Sequence, residues 1–118
     1  MTNARDISKI HDRNLIRGYV NFNGIGTVTI RESLGVSSIT DHGTGTYSPN
    51  WDVGVFDTNT YAYVTFGRDP GTDPTMVNNV ASASNYGKTT GFVSVKYNYQ
   101  GTPYDVSEIN IIAVGGQS

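Results

Sequence analysis

After Gly18, apolar and polar residues alternate with a period of two through most of the chain, as in half-buried β-strands. In the segment YVNFN, Val20 and Phe22 would face one side and their neighbours the other. Val28 and Ile30 repeat this alternation. Further strands are expected near residues 34–40, 44–51, 60–67, 91–100 and 106–116. The core residues predicted in these later strands are Val36, Ile39, Val93, Val95, Tyr97, Tyr99, Val106, Ile112 and Val114.

Turn-forming residues recur every 8–12 positions between these segments, a spacing that favours an antiparallel β-sandwich or a jelly-roll-like domain. Residues 67–90 form the longest polar stretch. Met76, Val77 and Val80 could form one strand within it, and otherwise it would be a long surface loop of the kind that often carries function.

The first 17 residues differ from the rest because they carry a basic residue at every fourth position. On a helix these side chains would stay on one side. We therefore divide the chain into an N-terminal arm, residues 1–17, helical or extended, and a β-domain, residues 18–118. The arm is either a solvated terminus or an attachment segment that orders against another chain. The residues that would make this attachment are Arg5, Ile7, Lys9, Ile10, Arg13 and Arg17.

Composition narrows the classes of function. The 118 residues carry a net charge of −2, so nucleic acid is not an expected partner. The chain has no cysteine, and it lacks both the apolar run of a membrane-spanning helix and a secretory signal. We expect synthesis in a cytoplasm and no membrane insertion. The low apolar content, 36%, predicts a thin core that association with further copies would help to bury.

Candidate catalytic chemistry is sparse. His42 follows Asp41 in a predicted turn, but no nucleophile is evident, and an exposed turn histidine is the simpler interpretation. Asp69 and Asp73 could share a calcium ion, although Asp-Pro and Pro-Gly are ordinary turn formers. We predict no catalytic residue, no metal and no cofactor.

Eight tyrosines are notable in so short a chain. Exposed aromatic rings beside polar side chains are typical of sugar-binding surfaces, whereas tyrosines within strands often only fill a sheet. The residues that we predict could contact a receptor or a glycan are Trp51, Asp69, Asp73, Tyr86 and Tyr104.

The stretch YVNFNGIGTVTIRESLGVSSITDHGTGTY, residues 19–47, resembles a recurrent module of tailed bacteriophages. The resemblance rests on an aromatic-Val-Asn-Phe-Asn-Gly start, then Gly-Thr-Val, a strand with Arg31, a Val-Ser-Ser-Ile-Thr-Asp strand and a Gly-Thr-Gly-x-Tyr turn. The segments TNTYAYVTFG and VSEINIIAVGG fit the later strands of the module more loosely. Residues 48–51, Ser-Pro-Asn-Trp, depart from the usual alternating strand.

The module usually lies at the C-terminal end of tail fibres and related virion proteins. The resemblance therefore implies a virion structural protein, homotrimeric and often receptor-facing, and it implies no catalytic residues. We expect the arm to bind other virion proteins. Because no fibre shaft precedes the module in this sequence, a capsid decoration or head-fibre protein is the alternative. A glycan-binding or glycan-hydrolysing domain is a further alternative.

Overall fold

The computed structural model describes residues 16–68, 76–81, 87–99 and 102–117, and these form nine β-strands and no helix. The strands are β1 (Ile16–Asn23), β2 (Thr29–Leu34), β3 (Val36–Gly43), β4 (Thr46–Trp51), β5 (Ala62–Arg68), β6 (Met76–Ala81), β7 (Val95–Tyr99), β8 (Thr102–Pro103) and β9 (Glu108–Val114). The all-β prediction is confirmed, as is the strand beginning at Met76. The predicted helix of the arm lies outside the described residues.

Two antiparallel sheets pack face to face as a β-sandwich, as predicted. Sheet A has the order β2-β1-β9-β5, and sheet B has the order β6-β7-β4-β3, with β8 beside β7. Strand β6 passes from one sheet to the other, because Met76 and Val77 pair with β5 while the rest of the strand pairs with β7. Gly35, with φ +69°, is the single residue between β2 and β3.

The core lies between the sheets, and the alternation in β1 predicts its contribution correctly. Val20 and Phe22 are buried. Val93, Val95, Tyr97 and Val106 are buried as predicted, and Val28, Ile30, Val36 and Ile39 pack against the core as partly buried residues. The aromatic residues of the core are Phe22, Tyr47, Trp51, Phe56, Tyr61 and Tyr97.

The prediction for β9 is wrong in its phase. Ile109, Ile111 and Ala113 are fully buried, whereas Ile112 is 37% exposed. Val20 of β1 lies directly opposite Ile111, and paired residues project to the same side of a sheet. Ile112 and Val114 therefore belong to the outer face of sheet A and not to the core.

The sandwich has two distinct ends. At the terminal end, Ile16 pairs with Val114. Strand β1 therefore begins two residues before the predicted start of the β-domain at Gly18. At the loop end lie the β1–β2 turn around Ile25 and the β3–β4 turn at Gly45. Arg68 at the end of β5 pairs there with Met76. The chain thus enters and leaves the β-domain at one end, and several turns lie at the other.

Candidate functional site

Three of the predicted contact residues are described, namely Arg17, Trp51 and Tyr104. Arg17 lies in β1 and Trp51 lies nearby at the terminal end, whereas Tyr104 lies at the loop end. The structure therefore does not bring these three residues together. The predicted contact residues that lie outside the described residues are Arg5, Ile7, Lys9, Ile10, Arg13, Asp69, Asp73 and Tyr86.

Trp51 is a core residue, which contradicts its prediction as a receptor contact. Its side chain is 5% exposed and packs edge-on against Phe56, with ring centroids 5.2 Å apart. The indole Nε1 donates a hydrogen bond to the Tyr61 hydroxyl at 3.1 Å. Gly18 lies against the indole, because a Cβ there would come within 2.6 Å of Trp51 Cζ3. The buried ring offers no face on which a sugar could stack.

Tyr104 is half-buried and packs against the core. Its backbone N–H donates to the carbonyl oxygen of Tyr97 at 3.0 Å. Asp105 follows it, and one carboxylate oxygen accepts hydrogen bonds from the Gly45 N–H and the Tyr47 hydroxyl, each at 2.8 Å. Tyr104 therefore lies beside a structural link between β4 and the chain before β9.

Residues from two motifs of the resemblance, Asn-Gly and Gly-Thr-Gly-Thr-Tyr, contact each other at this link. The Tyr47 hydroxyl also lies 2.7 Å from the carbonyl oxygen of Gly24, and the Gly24 N–H donates to Val106 O at 2.9 Å. Burial and the nearby Asp105 carboxylate raise the pKa of Tyr47 far above its ordinary value, so this hydroxyl remains a neutral donor. The residues of the Asn-Gly and Gly-Thr-Gly-Thr-Tyr motifs thus hold the loop end together.

The prediction of an exposed, solvated His42 is wrong. His42 is half-buried in β3, and its Nε2 lies 2.8 Å from Ser48 Oγ, which in turn lies 2.6 Å from Ser94 Oγ. A serine beside a histidine is the arrangement of an activated nucleophile. However, Ser48 is 2% exposed and Ser94 is 1% exposed, so no substrate reaches either hydroxyl. Asp41 instead accepts from the Gly43 N–H at 2.9 Å.

The sequence analysis did not detect this hydroxyl chain, because Ser48 and Ser94 lie 46 positions apart. Only the pairing of β4 with β7 brings them together. The hydrogen-bonded side chains join β3, β4 and the residue before β7, and both serines are buried, so they form a structural network.

The outer face of sheet A carries several of the large apolar side chains that are exposed among the described residues. One cross-strand row runs over all four strands of this sheet, from Leu34 to Tyr19, then Ile112 and Val64. The exposed fractions of Leu34 and Val64 are 47% and 61%. Phe66 stands in the neighbouring row and is 44% exposed. Exposed apolar patches with a polar rim are typical of contact surfaces in proteins.

A hollow of about 580 Å³ lies within this face. Tyr19 and Phe66 contribute aromatic rings to its lining, and Asn21 and Asn110 contribute amides. The Asn21 Nδ2 donates to Asn110 Oδ1 at 2.6 Å, and Arg31 donates to Asn21 Oδ1 at 3.2 Å. The polar groups of the hollow therefore bond to one another.

The rim of this face is charged. At the β2 edge, Arg31 also donates to the backbone oxygen of Ser107, and Glu32 accepts from the Tyr19 hydroxyl at 3.2 Å. The hydrogen bond to Glu32 raises the pKa of Tyr19. At the loop end, Arg68 forms an ion pair with Glu108 at 3.0 Å.

Within the described ranges, no three His, Asp or Glu side chains gather in a way that could hold a metal ion. No helix long and apolar enough to cross a membrane occurs in the described part of the chain. No family model, curated protein sequence or solved structure matches the chain.

Proposed function

We propose that this chain is a structural protein of a tailed-phage virion, of the tail-fibre type, that acts as a homotrimer in attachment to the host. The observation that carries the proposal is the run of motif residues from Tyr19 to Tyr47, which resembles the phage module. Its work is assembly and adhesion through surfaces. The proposal includes no catalytic activity, no metal and no cofactor.

The roles of the motif residues are consistent with this proposal. Gly24, Gly45 and Tyr47 meet in one hydrogen-bonded link at the loop end. Such residues make a rigid body and leave the surface free to vary. If the motif residues maintain the fold, other surface residues can vary between virion proteins that share the module but bind different receptors.

The two ends of the sandwich would have different roles, with attachment to the virion at one end and contact with the host at the other. Residues 1–15 precede β1 at the terminal end, where the arm would attach to other virion proteins. The turns at Ile25 and Gly45 lie at the opposite end, where they would face outward to a host glycan or protein. The protein would be made in the host cytoplasm and reside in the virion.

The alternative is a capsid decoration or head-fibre protein, and copy number separates the two. Quantitative mass spectrometry of purified particles would give the ratio of this chain to the major capsid protein. A few trimers per particle is the result expected of a tail-fibre protein. Hundreds of copies per particle would favour decoration, and absence from purified particles would overturn the proposal.

A further inference from the structure

The two outer faces of the sandwich differ in chemistry. On sheet B the outward side chains of β3 and β4 bond to each other. The Asn50 amide donates to Ser38 Oγ at 3.1 Å and to Thr40 Oγ1 at 2.9 Å. Sheet B therefore presents a polar surface whose hydrogen bonds are made within one chain.

Sheet A presents the opposite surface. The row Leu34–Tyr19–Ile112–Val64 crosses all four of its strands, and three of its four members are aliphatic. Four strands at a spacing of about 4.8 Å give a patch roughly 14 Å wide. Phe66 and the partly exposed Val114 widen it along the strands.

The charged residues that the structure describes on the rim of this face include two cations and two anions. Arg31 and Glu32 lie at the β2 edge, and Arg68 and Glu108 form the ion pair at the loop end. Two cations and two anions placed on the rim allow one such face to approach another without net repulsion. An apolar centre inside a charged rim is the usual anatomy of a protein–protein interface.

A saccharide fits this face less well. Sugar sites combine aromatic rings with unoccupied polar groups, whereas three of the four residues in the cross-strand row here are aliphatic. The amides of Asn21 and Asn110 bond to each other, and Arg31 is bonded to Asn21 and to Ser107 O. A stable protein contact covers about 800 Å² of each partner, so the contact would include the polar rim as well as the apolar patch.

We infer that the outer face of sheet A is the surface through which copies of this chain associate, with the same face of each of three copies turned toward a common three-fold axis. The inference rests on the proposed function, because it names the surface that would hold the proposed trimer together. It also explains why β9 carries isoleucines on both of its faces, with Ile111 in the core and Ile112 in the contact.

The test measures association of the purified full chain by sedimentation equilibrium, up to concentrations of about 100 μM. Val64→Glu places an unpaired charge at one end of the apolar row, and Leu34→Glu does the same at the other end. Thr40→Glu is the matched control, because Thr40 is also β-branched and exposed but lies on sheet B. Circular dichroism confirms that each variant is folded.

The expected result is an oligomer for the wild type and for Thr40→Glu. Val64→Glu and Leu34→Glu should raise the dissociation constant roughly 100-fold, because an unpaired charge is costly to bury. A monomeric wild type would overturn the inference. Binding of saccharides to this face of a monomer would overturn it too and would indicate a glycan site instead. An oligomer that both sheet A variants leave intact would overturn it as well. Particle composition is a separate readout, so failure here is distinguishable from failure of the virion role.

Discussion

The hydroxyl of Tyr47 lies 2.8 Å from a carboxylate oxygen of Asp105, a residue 58 positions further along the chain. The same oxygen accepts the Gly45 N–H. This relationship gives the Gly-Thr-Gly-Thr-Tyr motif a physical meaning, since its last glycine and its tyrosine share one acceptor. The motif secures the loop end of the sandwich, where the connections before β4 and β9 meet.

Removing the Tyr47 hydroxyl should destabilise the fold. Tyr47→Phe removes the single hydroxyl proton that lies between two acceptors, the Asp105 carboxylate at 2.8 Å and Gly24 O at 2.7 Å. We expect a loss of about 1–3 kcal/mol in the free energy of unfolding, measured with urea. Tyr19→Phe is the control, because its bond to Glu32 is exposed and should change stability by less than about 0.5 kcal/mol. Equal losses in the two variants would show that the link at Tyr47 has no special role.

Gly45 and Gly26 have similar positive φ angles but different surroundings. Alanine substitutions at the two positions therefore distinguish the cost of the left-handed backbone from the cost of a steric clash. Gly45 has φ +74°, and a Cβ there would lie 2.6 Å from Tyr97 O, whereas Gly26 has φ +67° and open space around it. Gly26→Ala should cost about 1 kcal/mol from the left-handed backbone alone. Gly45→Ala should cost several kcal/mol more, because backbone atoms of two other segments would have to move. Thermal unfolding of both variants makes the comparison, and similar melting temperatures would refute the close approach.

The buried tyrosines should make the protein sensitive to alkali. Burial raises the pKa of Tyr61 to about 12, and it raises the pKa of Tyr47 and Tyr97 as well. Unfolded tyrosines lose their protons near pH 10. The folded state therefore binds more protons than the unfolded state above this pH, and the stability is complete below pH 10.

Above pH 10, the free energy of unfolding should fall by about 1.4 kcal/mol per pH unit for each such tyrosine, up to the raised pKa. Urea unfolding at several pH values measures this slope. Tyrosinate absorbance should show Tyr47, Tyr61 and Tyr97 titrating only as the protein unfolds. Stability that stays constant up to pH 12 would contradict the burial of these hydroxyls.

Trp51 should behave as a core anchor. Truncation in Trp51→Ala removes the ring contacts and the bond to Tyr61 and should cost about 3–5 kcal/mol. Val53→Ala is a nearby control, because Val53 is fully exposed and its truncation should be close to neutral. Chemical denaturation compares the two variants. If Trp51→Ala kept wild-type stability but lost glycan binding, Trp51 would be a glycan contact and not a core anchor.

Local pattern predicted the strands better than it predicted their orientation. Val20 and Phe22 alternate with polar residues, so the buried side of β1 could be identified from the sequence. Strand β9 has isoleucine at 109, 111 and 112, and a period of two cannot tell an apolar core from an apolar outer face. Only the pairing with β1 resolves its phase.

The side-chain clusters were not predictable for a different reason. Trp51 was predicted as a receptor or glycan contact, yet Phe56 and Tyr61 from the following loop pack against its ring. The Ser48–Ser94 pair and the Tyr47–Asp105 link join positions far apart in sequence. Such contacts depend on strand order, which periodicity does not determine.

The most direct test of the proposed virion role removes the arm. The deletion should comprise residues 1–15, because Ile16 and Arg17 belong to β1. The truncated protein is supplied to phage that lacks its own copy, and the purified particles are tested for its presence. Separately, the purified truncated protein is tested for binding to host cells. The account predicts a folded protein that binds cells but is absent from particles. Incorporation at the wild-type level, or a folded protein that binds no cells, would contradict it.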